Sequence, residues 1–109
     1  MKYKIRINPV AIDDVLEMKA YIAENNPQAA LKMGNAIYSR IEKLADFPEM
    51  GASLSSKINM KTDYRYLVCG NYLIFYKIEG DAVSVYRVLN GSSSRDYLPI
   101  LFTGELPAE

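Results

Sequence analysis

The chain has no histidine and no tryptophan among its 109 residues, and it has a single cysteine, Cys69. Without histidine, the commonest general acid and base near neutral pH is missing, so Ser-His-Asp and Cys-His catalytic arrangements are excluded. One cysteine cannot form an internal disulfide, and with neither a histidine nor a second thiol it gives no zinc site. We interpret Cys69 as a core residue and expect no metal and no cofactor.

The chain also has no excess charge, because 13 basic residues balance 13 acidic ones. No bulk electrostatic field therefore attracts it to nucleic acid. Between positions 57 and 95 basic residues outnumber acidic ones, whereas the predicted helical part is acidic. No apolar run approaches the ~20 residues of a membrane span, and the charged N-terminus lacks the apolar core of a signal peptide. We expect a single cytoplasmic domain over residues 1–109 with no membrane partner.

Three runs rich in Val, Ile, Leu and Tyr fill the segment Tyr64–Asn90. The dipeptides Gly70-Asn71 and Gly80-Asp81 separate them, and such pairs supply the left-handed backbone that tight hairpin turns need. The pattern predicts a three-stranded antiparallel meander, with no helix anywhere in Tyr72–Glu79.

The segment Lys2–Asn8 alternates charged and apolar residues, which predicts a half-buried strand. Asn8-Pro9 and Asn26-Pro27 each place a capping side chain before a proline, so two helices are predicted to begin there. The second helix is predicted to run to about Phe47, and a link of three residues makes the two helices antiparallel neighbours. Ile12 and Leu16 are expected to widen the buried stripe of the first helix. The predicted core comprises Val15, Ile22, Ile37, Ile41, Leu44, Leu67, Ile74, Tyr76 and Val85.

A strand, a helical hairpin and a three-stranded meander together predict the α+β class, with one curved sheet and both helices on one face. Residues 51–63 form a polar connector between hairpin and meander. The segment 98–109 is a tail whose last residues are expected to fray. Its apolar residues are too many to be left loose on a monomer, so they fold back on the sheet or bind a partner. They are Leu98, Ile100, Leu101 and Phe102.

Strict alternation places Arg87 on the same strand face as Val85 and Leu89, and separates it from Tyr86 and Val88. An arginine among apolar neighbours lies at the rim of the sheet, pairs with a carboxylate, or points into a concave site. All three alternatives are open from the sequence.

The meander resembles the toxins of RelE/ParE-type toxin–antitoxin pairs, which include plasmid stabilisation proteins. The resemblance is carried by a Tyr-Arg strand, a strand ending Phe-Tyr-Lys-Ile, an Arg-Val-Leu strand and a closing Gly-x-x-x-Arg-Asp-Tyr. It covers roughly Lys2 to Tyr97 and implies the same order of elements as the one predicted above.

Two activities are implied by this resemblance. RelE-like and YoeB-like toxins are ribosome-dependent mRNA endonucleases, and in them an arginine of the second meander strand contacts the scissile phosphate. Leu73 stands at that position here. ParE-like toxins instead block DNA gyrase without agreed catalytic residues. The neutral charge, the missing histidine and Leu73 favour the ParE-like branch, and a binding module without a toxic target is a third alternative.

The resemblance also implies a cognate antitoxin, bound in a heterodimer or a larger even-numbered complex. For gyrase binding we predict Arg65, Arg87, Arg95 and Tyr97. If the chain is instead a nuclease acting on ribosome-bound mRNA, the candidate catalytic residues are Lys57, Lys61, Arg65, Arg87 and Tyr97. The antitoxin is predicted to bind the apolar tail residues, or to dock as an amphipathic helix or an added strand on the exposed sheet edge and the apolar surface of the helical hairpin.

Overall fold

The computed structural model describes residues 2–55 and 61–91, which form one mixed sheet with two helices on one of its faces. No helix within these ranges is long and apolar enough to span a membrane. The elements in chain order are β1 (Lys4–Ile7), α1 (Pro9–Ala23), α2 (Pro27–Lys43), β2 (Ala52–Ser53), β3 (Arg65–Cys69), β4 (Tyr72–Glu79) and β5 (Ala82–Asn90).

The meander is confirmed. β3 pairs with β4 and β4 with β5, both antiparallel, and no helix interrupts β4. Gly70 and Gly80 turn the chain with φ of 59° and 63°, in the left-handed region that a side chain disfavours. The two Gly-containing dipeptides therefore fix the positions of both hairpins.

The sheet has the order β1-β5-β4-β3-β2. β1 joins it parallel to β5, with Lys4 opposite Ala82 and Ile7 opposite Val85, so the sheet is mixed. β2 is an addition that the sequence did not indicate: Ala52 and Ser53 of the polar connector pair with Tyr66 and Arg65. The predicted α+β class is confirmed.

Both helices begin as predicted. The Asn8 side chain accepts a hydrogen bond from the Val10 N–H at 3.0 Å, and the Asn26 side chain accepts one from the Ala29 N–H at 3.0 Å. Each proline follows its cap, where a missing N–H is harmless. α2 ends at Lys43, four residues before the predicted end at Phe47, because the chain leaves the helix through a series of turns.

The helices and one face of the sheet enclose the main core. All nine predicted core residues belong to it, although Ile22 is only half-buried. The hairpin closes tightly at Gly34, where an added Cβ would lie 2.9 Å from the Lys19 side chain of α1. The expectation for Ile12 and Leu16 was wrong: they are 39% and 56% exposed, because α1 buries only a narrow stripe against the sheet.

A β-bulge changes the faces of β5. Phe75 is opposite Arg87 and Tyr76 is opposite Val85, so Tyr86 is an extra residue without a partner on β4. Val83, Val85 and Val88 therefore all face the helices, whereas Leu89 faces away from them. The strict alternation that the sequence predicted for this strand fails at Tyr86.

Candidate functional site

Arg87 is held by a buried carboxylate of α1. Its Nε and Nη2 donate to Asp14 Oδ2 and Oδ1 at 2.8 and 2.9 Å. The Val88 backbone N–H donates to the same Oδ2 at 2.9 Å. The Arg87 side chain is 8% exposed and that of Asp14 is 10% exposed. Of the three alternatives left open for Arg87, the structure shows the carboxylate pair.

The position of this pair follows from the length of β1. β1 accompanies β5 only as far as Val85, so within residues 2–55 and 61–91 no strand lies beside the edge of β5 beyond that point. α1 runs past this edge, and Asp14 accepts the Val88 N–H that a longer β1 would otherwise meet. Asp14 therefore has two roles: it connects α1 to the sheet, and it neutralises the charge of Arg87.

Arg65 holds the chain where it returns from the helices to the sheet. Its Nη1 donates to the Gly51 carbonyl at 2.8 Å and lies 3.4 Å from that of Glu49. The Tyr76 hydroxyl accepts from the Gly51 N–H at 2.9 Å and donates to the Pro48 carbonyl at 2.8 Å. Gly51 is required here, because a Cβ would come within 2.5 Å of the Tyr76 hydroxyl. Arg65 and Tyr76 thus have structural partners.

Replacing Tyr76 with phenylalanine is expected to lower the free energy of unfolding by about 1–3 kcal/mol, since the Gly51 N–H and the Pro48 carbonyl lose their partner. Chemical denaturation followed by circular dichroism measures this loss. Tyr21→Phe is the matched control, because Tyr21 is 71% exposed and its change is expected to stay within about 0.5 kcal/mol. Equal stability of both variants with the wild type would contradict the structural role of Tyr76.

The Tyr76 hydroxyl also makes the stability of the fold depend on pH. Burial raises the pKa of its hydroxyl above the ordinary value of 10.0. The folded protein then binds this proton more tightly than the unfolded chain does. The stability contribution is complete below about pH 10 and is lost as the pH rises beyond it. In Tyr76→Phe, denaturation midpoints between pH 9 and 11 should fall less steeply than in the wild type.

The face of the sheet away from the helices, here called the open face, has an apolar and a polar end. Leu73, Phe75 and Leu89 form the apolar end with the buried Leu54. At the polar end the rings of Tyr64 and Tyr86 meet edge to face at 5.4 Å. Lys77 Nζ lies 5.1 Å from the centre of the first ring. Leu73, which the resemblance aligns with an arginine of the nucleases, is 8% exposed among apolar neighbours.

Glu79 completes the polar end. Hydrogen bonds from Ser84 and Tyr86, together with the nearby Lys77, lower the pKa of its carboxyl despite partial burial. The Tyr86 hydroxyl lies 3.1 Å and Lys77 Nζ 3.7 Å from Glu79 Oε2. A carboxylate with a lowered pKa is a weak base, so this cluster binds and orients groups more readily than it moves protons.

Comparison with known proteins assigns the fold to a family. The family model described as the ParE toxin of the type II toxin–antitoxin system, parDE, matches residues 5–95. That range covers most of the chain. The chain belongs to the ParE toxin family.

Two known proteins are similar to this ParE-family chain. Toxin RelE3 from Caulobacter vibrioides is 26% identical over 91 residues, which are 84% of this chain and 97% of that protein. A solved chain of the chromosomal ParDE toxin–antitoxin system from P. aeruginosa has a TM-score of 0.67 and 17% identity, and the match covers 82% of this chain and 96% of that one. At such low identity the second match shows the fold alone.

In the structure of this ParE-family toxin, the described residues that we selected from the sequence lie apart from one another. Arg65 of β3 bonds to the turn after α2, and Arg87 of β5 bonds to α1, with β4 lying between the two strands. Lys61 is exposed ahead of β3. The other selected residues lie outside the described ranges: Lys57, Arg95, Tyr97, Leu98, Ile100, Leu101 and Phe102.

Two important side chains were not selected from the sequence of this ParE-family toxin. One is Asp14 of α1, the partner of Arg87. Arg40 of α2 donates to the Val68 carbonyl at 2.7 Å, on the part of β3 that β2 does not cover. The sequence does contain a signal for Asp14, because a buried arginine on a strand requires a carboxylate partner and α1 is rich in acidic residues. No local pattern signals Arg40.

Proposed function

We propose that this ParE-family toxin inhibits DNA gyrase by binding it, without catalysing a reaction. The observation that carries the proposal is the pairing of Arg87 with Asp14, which engages one of the cations that the nuclease alternative would use for phosphate. Arg65 is engaged by carbonyl groups, and Leu73 makes the corresponding part of the open face apolar. Within the described ranges, the selected residues form no acid–base pair. The ParE family model supports the same branch.

Arg95 and Tyr97, in the closing motif, are the residues we propose for direct contact with gyrase. For Arg65 and Arg87 we propose a supporting role within the fold, since their guanidinium groups already have partners. Bidentate contacts between arginine and carboxylates of a target are strong enough to anchor such binding.

Purified toxin is expected to inhibit supercoiling of relaxed plasmid by gyrase. Tyr97→Phe and Lys61→Ala should still inhibit supercoiling in a manner that depends on toxin concentration. Neither change removes a proton-transfer group that the mechanism uses. Arg95→Ala should weaken inhibition by about tenfold or more, since a charged contact is lost. If the Lys61→Ala variant no longer inhibited supercoiling by gyrase, this mechanism would be contradicted.

An mRNA endonuclease is the second candidate, and the name of the relative Toxin RelE3 favours it. Its proposed residues are Lys57, Lys61, Arg65, Arg87 and Tyr97, with cytoplasmic ribosomes as the place of action. Translation extracts programmed with a defined mRNA test it. A nuclease would cut within ribosome-bound codons, and Tyr97→Phe would reduce that cleavage on the order of 10²-fold. Intact mRNA at inhibitory concentrations of toxin would exclude this candidate.

We further propose that a cognate antitoxin neutralises the toxin in an even-numbered complex, and that it covers the tail residues Leu98, Ile100, Leu101 and Phe102 or the outer face of the hairpin. On that face Ile12 and Leu16 stand one turn apart on α1, exposed by 39% and 56%. This spacing suits the apolar side of an amphipathic helix.

Deleting residues 98–109 is expected to weaken the complex with a co-expressed antitoxin, measured by titration calorimetry. Leu16→Glu tests the outer face of α1 separately, and Leu31→Glu tests that of α2, where Leu31 is 58% exposed. Unchanged affinity of the deletion would exclude the tail, and unchanged affinity of Leu16→Glu would exclude the outer face of α1.

A further inference from the structure

A groove lies between α1 and the end of the sheet. Its volume is about 350 Å³, and it is lined by α1 on one side and by β5 with Tyr72 of β4 on the other. Asp14, Met18 and Tyr21 recur along α1 at helical spacing, so one continuous side of the helix borders the groove. Ligand sites in proteins have volumes of about 300–1,000 Å³, so this groove is large enough to receive one long side chain.

The groove has an excess of negative charge. It is lined by two carboxylates and one guanidinium, and Asp14 and Arg87 neutralise each other through hydrogen bonds at 2.8 and 2.9 Å. The remaining charge is that of the exposed Glu17. Within the part of the chain that the structure describes, no cation lies within ion-pairing distance of Glu17. Its neighbours three and four residues away on α1 include Asp13 and no basic residue. The groove therefore attracts a cation.

The walls of the groove suit a guanidinium better than a compact ammonium. Tyr21, which is 71% exposed, and the half-buried Tyr72 provide aromatic rings. A planar guanidinium stacks on such rings and donates two parallel hydrogen bonds to a carboxylate such as that of Glu17. The Val88 N–H points to this side of β5, where it donates to Asp14. The Val88 carbonyl points to the same side of the strand and adds a hydrogen-bond acceptor.

We propose that this groove binds an arginine side chain presented by a partner protein. The guanidinium stacks on Tyr21 and donates to the Glu17 carboxylate and the Val88 carbonyl. Free arginine fits less well, because the negative charge of the groove repels its own carboxylate. The site is made by α1 and the end of β5, so it is independent of the gyrase contact proposed for Arg95 and Tyr97.

An NMR titration of the isotope-labelled, full-length toxin tests the proposal, with the peptide acetyl-Gly-Ser-Arg-Ser-Gly-amide as the probe. We expect saturable shifts of the backbone amides of Tyr21, Val88 and Asn90. Peptides with citrulline or lysine in place of arginine should bind at least about fivefold more weakly. Citrulline has the same shape without the charge, and lysine does not form the bidentate, stacked contact.

Two variants at exposed positions test the residues of the groove. Glu17→Gln should weaken binding of the arginine peptide at least about fivefold, because it removes the charge and keeps the shape. Tyr21→Ala should weaken it about twofold to fivefold, because the aromatic ring is lost. Circular dichroism verifies that both variants keep the fold. Glu42→Gln changes an exposed carboxylate on α2, outside the groove, and is the matched control whose affinity should stay unchanged.

The competing occupant is the chain's own Arg95, five residues beyond Asn90 in the sequence. If the peptide bound Arg95→Gln toxin and not the wild type, the groove would belong to the chain's own tail and the proposal would be overturned. Absence of binding to both proteins would also overturn it. So would equal affinities for wild type and Glu17→Gln, equal affinities for the arginine and citrulline peptides, or shifts confined to residues away from the groove.

Discussion

Replacing Asp14 with alanine is expected to lower the free energy of unfolding by about 3–5 kcal/mol, the cost of leaving a buried charge without its partner. The Arg87 side chain is 8% exposed and donates hydrogen bonds to both carboxylate oxygens of Asp14. The Val88 N–H loses its acceptor in the same substitution. Domains of this size have total stabilities of about 5–15 kcal/mol, so a large part of the stability would be lost.

Urea denaturation of Asp14→Ala beside Asp13→Ala makes the comparison direct. Asp13 is the exposed neighbour on the same helix, and its removal is expected to change stability by no more than about 0.5 kcal/mol. The double variant Asp14→Ala with Arg87→Ala should cost less than the sum of the single changes, because it removes the uncompensated charge. Similar losses for Asp13→Ala and Asp14→Ala would refute the role given to this pair.

The second large effect is expected at Ile41, where replacement with alanine should cost about 2–5 kcal/mol. Ile41 is 2% exposed on the face of α2 that packs against the sheet, and its truncation leaves a cavity between the two layers. Ile12→Ala is the control of identical chemistry, since Ile12 is 39% exposed on the other helix. A loss below 1 kcal/mol for Ile41→Ala would show that this stripe does not form the core.

The fold was predictable where one residue type has one physical role. Gly70 and Gly80 occupy left-handed turns, and Asn8 and Asn26 cap helices that begin with proline. The apolar spacing of α2 identified its buried side because few polar residues interrupt it. Such signals are local, so a single sequence contains them.

What could not be predicted depends on tertiary placement. Tyr86 produces the bulge without any turn residue to announce it, and the bulge moves Val88 to the helix side. β2 has only two residues, and it is a strand only through its pairing with Arg65 and Tyr66 of β3. Ile12 and Leu16 have the spacing of core residues but lie beyond the reach of the sheet.

The candidate site was predicted less well than the fold, and for the same reason. Arg87 was selected correctly as unusual, but its partner is 73 residues away in the chain. Whether an arginine contacts a substrate or a carboxylate is decided by which side chain the fold places beside it. In this chain the fold places Asp14 beside Arg87, so the cation is already neutralised.

The most direct test of the account is to induce the toxin in cells without its antitoxin, and to follow plasmid supercoiling and mRNA integrity in the same culture. We expect supercoiling and replication to fail first, while bulk mRNA stays intact. Codon-specific mRNA fragments appearing within minutes, with supercoiling unchanged, would contradict it.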